Sequence, residues 1–442
     1  MTTSEQSPNL HTLWVERLAL TNFRNYAGVT LEASGRPQVI TGSNGSGKTN
    51  LLEALSLLSP GQGMRRAAFS DIPRGAGDGG FAVAARVHGL NGVADIGTGL
   101  QPGAAVQPPG PSLSPSGEAG AESAGEGAVK FAGDGEGTPP HPSPLPKGRG
   151  GNSERSSERS AGRIVRIDGA AQTGSGVLAD YLEIVWVTPA MDGLFTGPAA
   201  ERRRFLDRLI LCFDPAYRTI AGRFERAMTM RNRLLADGSR DHAQLTGIEL
   251  VMAENGVAVA AARLEAVSAM AALIQQRRDR DAASAFPWCS FSLEGRLESD
   301  LASLPALEAE DRYGQILRTS RERDRAAGRT LDGPHRSDLA VEHGPKQIAA
   351  RMCSTGEQKA LLLGLVLAHA ELLTQRQEGA APILLLDEIT AHLDAHRRAA
   401  LFDEILRLKA QAWMTGTDRT AFEVLTGKAQ FWSVDDGRVS GV

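Results

Sequence analysis

The chain has 442 residues, enough for two or three domains and a sizeable buried core. Its 48 basic and 52 acidic residues nearly balance, so no global charge announces a nucleic-acid partner, and 5% aromatics are too few for a base-stacking platform. No uninterrupted apolar run reaches the length of a membrane span and the polar first 11 residues lack a signal core, so no membrane partner and a cytoplasmic location are expected.

Apolar and polar positions alternate from Leu13 to Leu20, predicting a strand. Thr30-Leu31-Glu32 reads as its partner, with Phe23-Arg24-Asn25-Tyr26 in the turn between them. A strand over residues 38–41 then feeds Gly42-Ser43-Asn44-Gly45-Ser46-Gly47-Lys48-Thr49, and the following Asn50-Leu51-Leu52-Glu53-Ala54-Leu55 has helix formers at apolar spacing. Strand, G-x-x-x-x-G-K-T loop and helix in this order form the context of a phosphate-binding loop. Successive backbone N–H groups cradle phosphates there, and the helix N-terminus adds partial positive charge. Lys48 is placed to reach the β- and γ-phosphates and the Thr49 hydroxyl to hold Mg²⁺, so ATP and Mg²⁺ are the expected ligands. Residues 81–87 form another candidate strand. One sheet is expected to continue from it through Ile164-Val165-Arg166-Ile167 and Ile184-Val185-Trp186-Val187.

Residues 98–161 are dominated by Gly, Pro, Ser, Ala and Glu, with Phe131 the single aromatic, and predict a low-complexity disordered insertion. A Pro-rich docking tail is the other reading of this segment, whose end is extended and turn-prone. The chain then turns helical: residues 199–213, with Phe205, Leu206, Leu209, Ile210 and Phe213 on one face, then 216–235, a long Ala-rich helix over 248–278, a strand at 290–293, and a helix over 304–325. No heptad repeat is sustained, so no coiled-coil arm is expected. Cys212, Cys289 and Cys353 are odd in number and lack metal-ligand spacing, as core thiols would.

Ile383-Leu384-Leu385-Leu386 runs into Asp387-Glu388, the Walker B arrangement. Asp387 at the strand end can hold Mg²⁺, and Glu388 is placed to polarise an attacking water as general base. Upstream, Ser354-Thr355-Gly356-Glu357-Gln358-Lys359 opens a helix. It reads as a capping box and equally as an ABC-type signature, in which Ser354 and Gly356 meet the γ-phosphate of ATP held by another subunit. Ala391-His392-Leu393-Asp394 occupies the D-loop position, and Met414-Thr415-Gly416-Thr417-Asp418 ends a strand where a switch residue is expected.

This motif order, with Phe23-Arg24-Asn25-Tyr26, Gly197-Pro198, Arg202-Arg203-Arg204-Phe205-Leu206-Asp207, Asp214-Pro215, Arg231-Asn232-Arg233-Leu234-Leu235 and Gly333-Pro334-His335-Arg336-Ser337-Asp338-Leu339, resembles the RecF recombination-mediator family of SMC-like ABC ATPases. The insertion departs from that pattern, and Ser337 stands where an acid is usual. The resemblance implies an α/β ABC-type P-loop ATPase head with a mixed sheet (lobe I) and a mainly helical lobe II. It divides the chain into residues 12–97, 98–161, 162–196, 197–352 and 353–442. It further implies an ATP-dependent head-to-tail homodimer on single-stranded and gapped double-stranded DNA, with slow, DNA-stimulated hydrolysis used as a switch. RecR and RecO are the implied partners, in loading RecA and triggering the SOS response. The ATPase subunit of an ABC membrane transporter shares the motif order and is the rival reading. For DNA contacts the sequence offers Arg65 and Arg66, Arg202 to Arg204 with Arg208, and Arg277, Arg278 and Arg280. Intramolecular pairing with Glu201, Asp207, Asp279 and Asp281 is the competing use of these arginines.

Overall fold

The alternating pattern near the N-terminus folds as a hairpin in the computed structural model, which describes residues 13–75, 79–101, 163–239, 241–281 and 284–442. β1 (Trp14–Phe23) buries Val15, Leu18, Leu20 and Phe23, and pairs with β2 (Tyr26–Glu32) through a two-residue turn in which Arg24 takes φ 53°. β3 (Gln38–Thr41) leads through the glycine-rich loop into α1 (Lys48–Ser56). Two further hairpins follow, β4 (Phe81–Gly89) with β5 (Gly92–Leu100), and β6 (Ile164–Ile167) with β7 (Ala170–Gln172); β8 (Ile184–Val187) comes next. The first three residues of the expected insertion are strand. Thr98 to Leu100 belong to β5, where Thr98 pairs with Val165, and the rest of that segment, from residue 102, lies outside the described residues.

The helical stretch comprises α2 (Ala199–Leu211), α3 (Tyr217–Ala236) and α4 (His242–Arg280), then β9 (Cys289–Glu294), α5 (Arg296–Leu301), α6 (Ala306–Thr319), α7 (Arg321–Ala327), β10 (Asp338–His343) and β11 (Ile348–Ala349). The chain closes with α8 (Thr355–Arg376), β12 (Ile383–Leu386), α9 (Ala395–Leu408), β13 (Ala412–Gly416), β14 (Gln430–Asp435) and β15 (Arg438–Gly441).

The single expected sheet is two. An antiparallel sheet runs β2-β1-β4-β5-β6-β7, and a second runs β15-β14-β3-β13-β12-β8, parallel except for β15; β11-β10-β9 form a small third sheet. Ile164–Ile167 and Ile184–Val187 therefore sit in different sheets. Strand β12 shows why its run is apolar throughout. Ile383 and Leu385 join the core shared with α1 and the antiparallel sheet, while Leu384 and Leu386 join the core under α8, α9 and α2. A parallel strand covered on both faces has no polar side.

The helix expected over 304–325 breaks at Ser320, whose hydroxyl donates to Leu317 O at 3.3 Å and Asp324 Oδ2 at 2.8 Å. Such local bonds compete with helix continuation. Arg231, fully buried, donates to the Leu317 carbonyl at the same place and to Glu249, Asp324 and Thr330, tying α3, α4 and α7 together. Ser337 is buried and accepts from Arg263, which also forms a bidentate pair with Asp207 of α2. Helix α4 is the one described helix long and apolar enough to cross a membrane by length and composition. Half of its apolar window is buried, against α3, α6 and α8 among others. All three cysteines are unpaired thiols, Cys289 and Cys353 buried.

Candidate nucleotide site

The parallel strands β3, β12 and β13 lie side by side and end together, which brings residues 42–49, 387–388 and 415–418 to one edge of the sheet. Ligands in open α/β sheets bind at such carboxyl ends. In the loop, Ser43, Asn44 and Gly45 are exposed, while Ser46, Gly47 and Lys48 are buried. Gly47 takes φ 117°, and a Cβ there would lie 2.5 Å from Asn25 Nδ2 and 2.8 Å from the Tyr26 hydroxyl, so only glycine fits.

That crowding is the means by which the loop is held. Asn25 Nδ2 donates to Ser46 O at 2.9 Å, Tyr26 Oη donates to Gly47 O at 3.0 Å, and Asn50 Nδ2 donates to Asn25 Oδ1 at 2.8 Å. Arg24 forms a bidentate pair with Glu53 of α1, itself buried and also met by Arg65 at 3.0 Å. The turn between β1 and β2 thus braces both the loop and the helix behind it. Burial and this lack of competing solvent make the bidentate guanidinium–carboxylate geometry worth more than a surface pair.

Lys48 Nζ curls back over the loop and donates to the carbonyls of Gly42 (2.8 Å) and Ser43 (2.7 Å). Its pKa is lowered by burial, opposed by the charges of Glu388 and Asp387. Thr49 Oγ1 donates to Asp387 Oδ1 at 2.9 Å, a bond spanning 338 residues of sequence. The same oxygen accepts from Thr415 Oγ1 at 2.7 Å, and Asp387 is 4% exposed. Lys48, Thr49 and Asp387 are therefore brought together, with Glu388 next to them. Glu388 takes φ 48°, its N–H donates to Thr415 Oγ1 at 2.8 Å, and its carbonyl accepts from Lys359 Nζ at 3.3 Å. A non-glycine residue in the left-handed region is held there by its surroundings. Thr415 and Lys359 do the holding.

Ser354 and Gly356 stand elsewhere. Ser354 caps α8, its hydroxyl accepting from Glu357 N at 3.4 Å while its own N–H donates to Glu357 Oε2 at 3.1 Å. Lys346 lies 2.5 Å from Glu357; that ion pair and the Ser354 bonds hold the Glu357 carboxyl at a pKa of about 2. Ser354 is exposed, and no hydrogen bond joins it or Gly356 to the phosphate loop among the described residues. A Cβ on Gly356 would lie 3.4 Å from His392 O, so the signature and D-loop segments are in contact. Asp394 caps α9 through Arg397 N at 2.8 Å, and Asp418 caps the turn after β13 through Thr420 N.

Sequence reasoning missed the anchoring roles of Asn25, Tyr26, Thr415 and Lys359. The signal available was composition alone: Thr415 is a polar residue inside an otherwise apolar, fully buried strand. A polar side chain in that setting needs a partner.

A family model described as an AAA domain matches residues 17–81, from β1 to the start of β4. A protein of Mesorhizobium japonicum named DNA replication and repair protein RecF is 48% identical over 425 residues, covering 96% of this chain and 97% of its own. Its namesake from Rhizobium etli is 47% identical over 431 residues, covering 98% and 100%. Among solved structures, that of the recombination mediator protein RecF with ATPrS superposes with a TM-score of 0.75 at 19% identity, over 98% of this chain and 99% of that one. The structural likeness speaks for the fold, an ABC-type α/β ATPase head, and the full-length identity speaks for descent. The chain belongs to the RecF family of DNA replication and repair proteins.

Proposed function

We propose that the chain is an ATP-dependent DNA-binding switch of recombinational repair. ATP closes a head-to-tail homodimer on gapped or junction DNA, slow hydrolysis releases it, and RecR and RecO are the partners in delivering RecA and raising the SOS response. The observation that carries the nucleotide half of this reading is the Thr49–Asp387 hydrogen bond, which couples the phosphate loop to the Walker B strand. Family membership carries the DNA half, and the transporter reading is not favoured beside relatives named for replication and repair.

The donor set suits the ligands. Thr49 Oγ1 and Asp387 Oδ1 are hard oxygen donors of the kind Mg²⁺ selects. Mg²⁺ held there would offset the negative charge of the phosphate oxygens. The Ser46 hydroxyl of the loop is buried without a partner among the described residues, a donor left over. Lys48 exchanges its carbonyl partners for phosphate oxygens. Glu388, fixed at both its N–H and its carbonyl, aligns the water and takes its proton as general base. Ser354, exposed on the capped end of α8, and the half-buried Gly356 complete the site of the second subunit. A near-complete change of state requires ATP to favour the closed dimer by about 5 kcal/mol.

The test is nucleotide binding by Lys48→Ala, measured by calorimetry. Loss of ATP affinity by at least a hundredfold with an intact fold is expected; wild-type affinity would refute the assignment of the loop.

A further inference from the structure

Arginines far apart in sequence converge where the segment after α1 meets α2 and the edge strand β8. Arg66, Arg204 and Arg208 line one cavity of about 190 Å³ together with Met64, Trp186 and Glu201. Its charged lining is three guanidiniums against one carboxylate. Glu201 pairs only loosely with Arg204, at 3.9 Å and with both side chains nearly half exposed.

Arg208 forms the floor. Its guanidinium lies 4.6 Å from the Trp186 ring centroid and 5.4 Å from that of Phe205, and Nη2 donates to Trp186 O at 3.2 Å. Its Nε is buried and makes no hydrogen bond among the described residues. Burial pushes Arg208 down to about 10, with Arg66 adding to the repulsion, and burial and Arg204 act on Arg66 in the same direction. Arg66 and Arg204 are both exposed.

Guanidiniums gathered without matching carboxylates repel one another in the isolated protein. A polyanion would convert that repulsion into attraction and release its own counterions. The arginines near the end of α4 are disposed otherwise. Arg277 pairs with Glu404 at 2.7 Å and Arg280 with Glu371 at 3.0 Å, so their charge is already used.

We propose that this arginine groove seats the phosphate backbone of DNA, with Arg66 and Arg204 on phosphates and Arg208 fixing the floor. The assignment rests on the DNA-binding reading above and names the surface that reading lacks. Contacts of this kind set affinity and its salt dependence without reading sequence.

The test is titration of a fluorescently labelled gapped duplex with the full chain, in ATP and Mg²⁺, across a series of salt concentrations. The proteins are wild type, Arg66→Gln/Arg204→Gln, Arg66→Lys/Arg204→Lys and Arg280→Gln. The double glutamine variant is expected to bind at least tenfold more weakly at moderate salt. Its slope of log affinity against log salt should be smaller by about 2, one for each phosphate no longer neutralised. The lysine pair should restore the slope, Arg280→Gln should match wild type, and ATP affinity should be equal in all four. A wild type that binds DNA beside a glutamine pair of unchanged affinity and slope would overturn the groove alone. A wild type that binds no DNA in any nucleotide state would overturn the DNA reading itself.

Discussion

At the scale of residues, the candidate site turns on one oxygen. Asp387 Oδ1 accepts from both Thr49 and Thr415, and the Thr415 hydroxyl in turn accepts from Glu388 N–H. Thr415 therefore fixes the candidate metal ligand and the candidate base with a single hydroxyl. Thr415→Val keeps the shape and removes these bonds. It is expected to lower steady-state ATP turnover tenfold or more while changing nucleotide affinity less than threefold, because Lys48 and the loop are untouched. Equal losses in both quantities, measured by turnover and calorimetry, would make Thr415 a structural residue only. The loop itself was legible in the sequence because its eight residues are contiguous and their types dictate the geometry. Thr415 was not, since its bonds reach 28 residues back and nothing local marks them.

At the scale of elements, helix α8 links the signature to the remainder of the fold. Its His369 is fully buried, bonded through Nε2 to Leu209 O of α2 at 2.9 Å and packed near Phe213. Burial pushes its pKa from 6.5 down to about 4. A histidine kept neutral by the fold stabilises it fully above the unfolded pKa, and that contribution is lost as pH falls from about 6.5 through about 4. The sum over the window is about 3 kcal/mol. Urea unfolding at pH 7.5 and pH 5 should show wild type losing stability and His369→Gln losing markedly less; parallel losses would count against the assignment. Elements such as α8, β12 and β13 were readable from apolar runs and caps. Pairing between strands was not: periodicity says that Ile164–Ile167 is a strand but carries no information about which of two sheets receives it. The break between α6 and α7 was hidden for a related reason, because one of the two groups bonded to the Leu317 carbonyl, beside the Ser320 hydroxyl, is Arg231, 86 residues upstream.

At the scale of the whole molecule, the fold joins chain segments that the sequence separates. The hairpin β1–β2 braces the phosphate loop, the C-terminal strands β13 and β14 flank β3, and the signature end of α8 faces outward. A site whose exposed signature completes a second copy should respond to a block in hydrolysis by staying closed. Glu388→Gln is expected to remain dimeric in ATP and Mg²⁺ under sedimentation, where wild type returns to monomer as ATP is consumed. Wild-type turnover in that variant would remove Glu388 as the base. The arginines illustrate the limit of sequence at this scale. Arg66 and Arg204 read as two unrelated basic clusters, and only the packing of α2 beside the segment after α1 makes them one surface.

The most direct measurement is binding of a gapped duplex with and without ATP and Mg²⁺, at two salt concentrations. Binding that requires ATP and weakens steeply with salt is the predicted result. DNA affinity that is the same with and without nucleotide, in a protein whose ATP binding is intact, would contradict the switch.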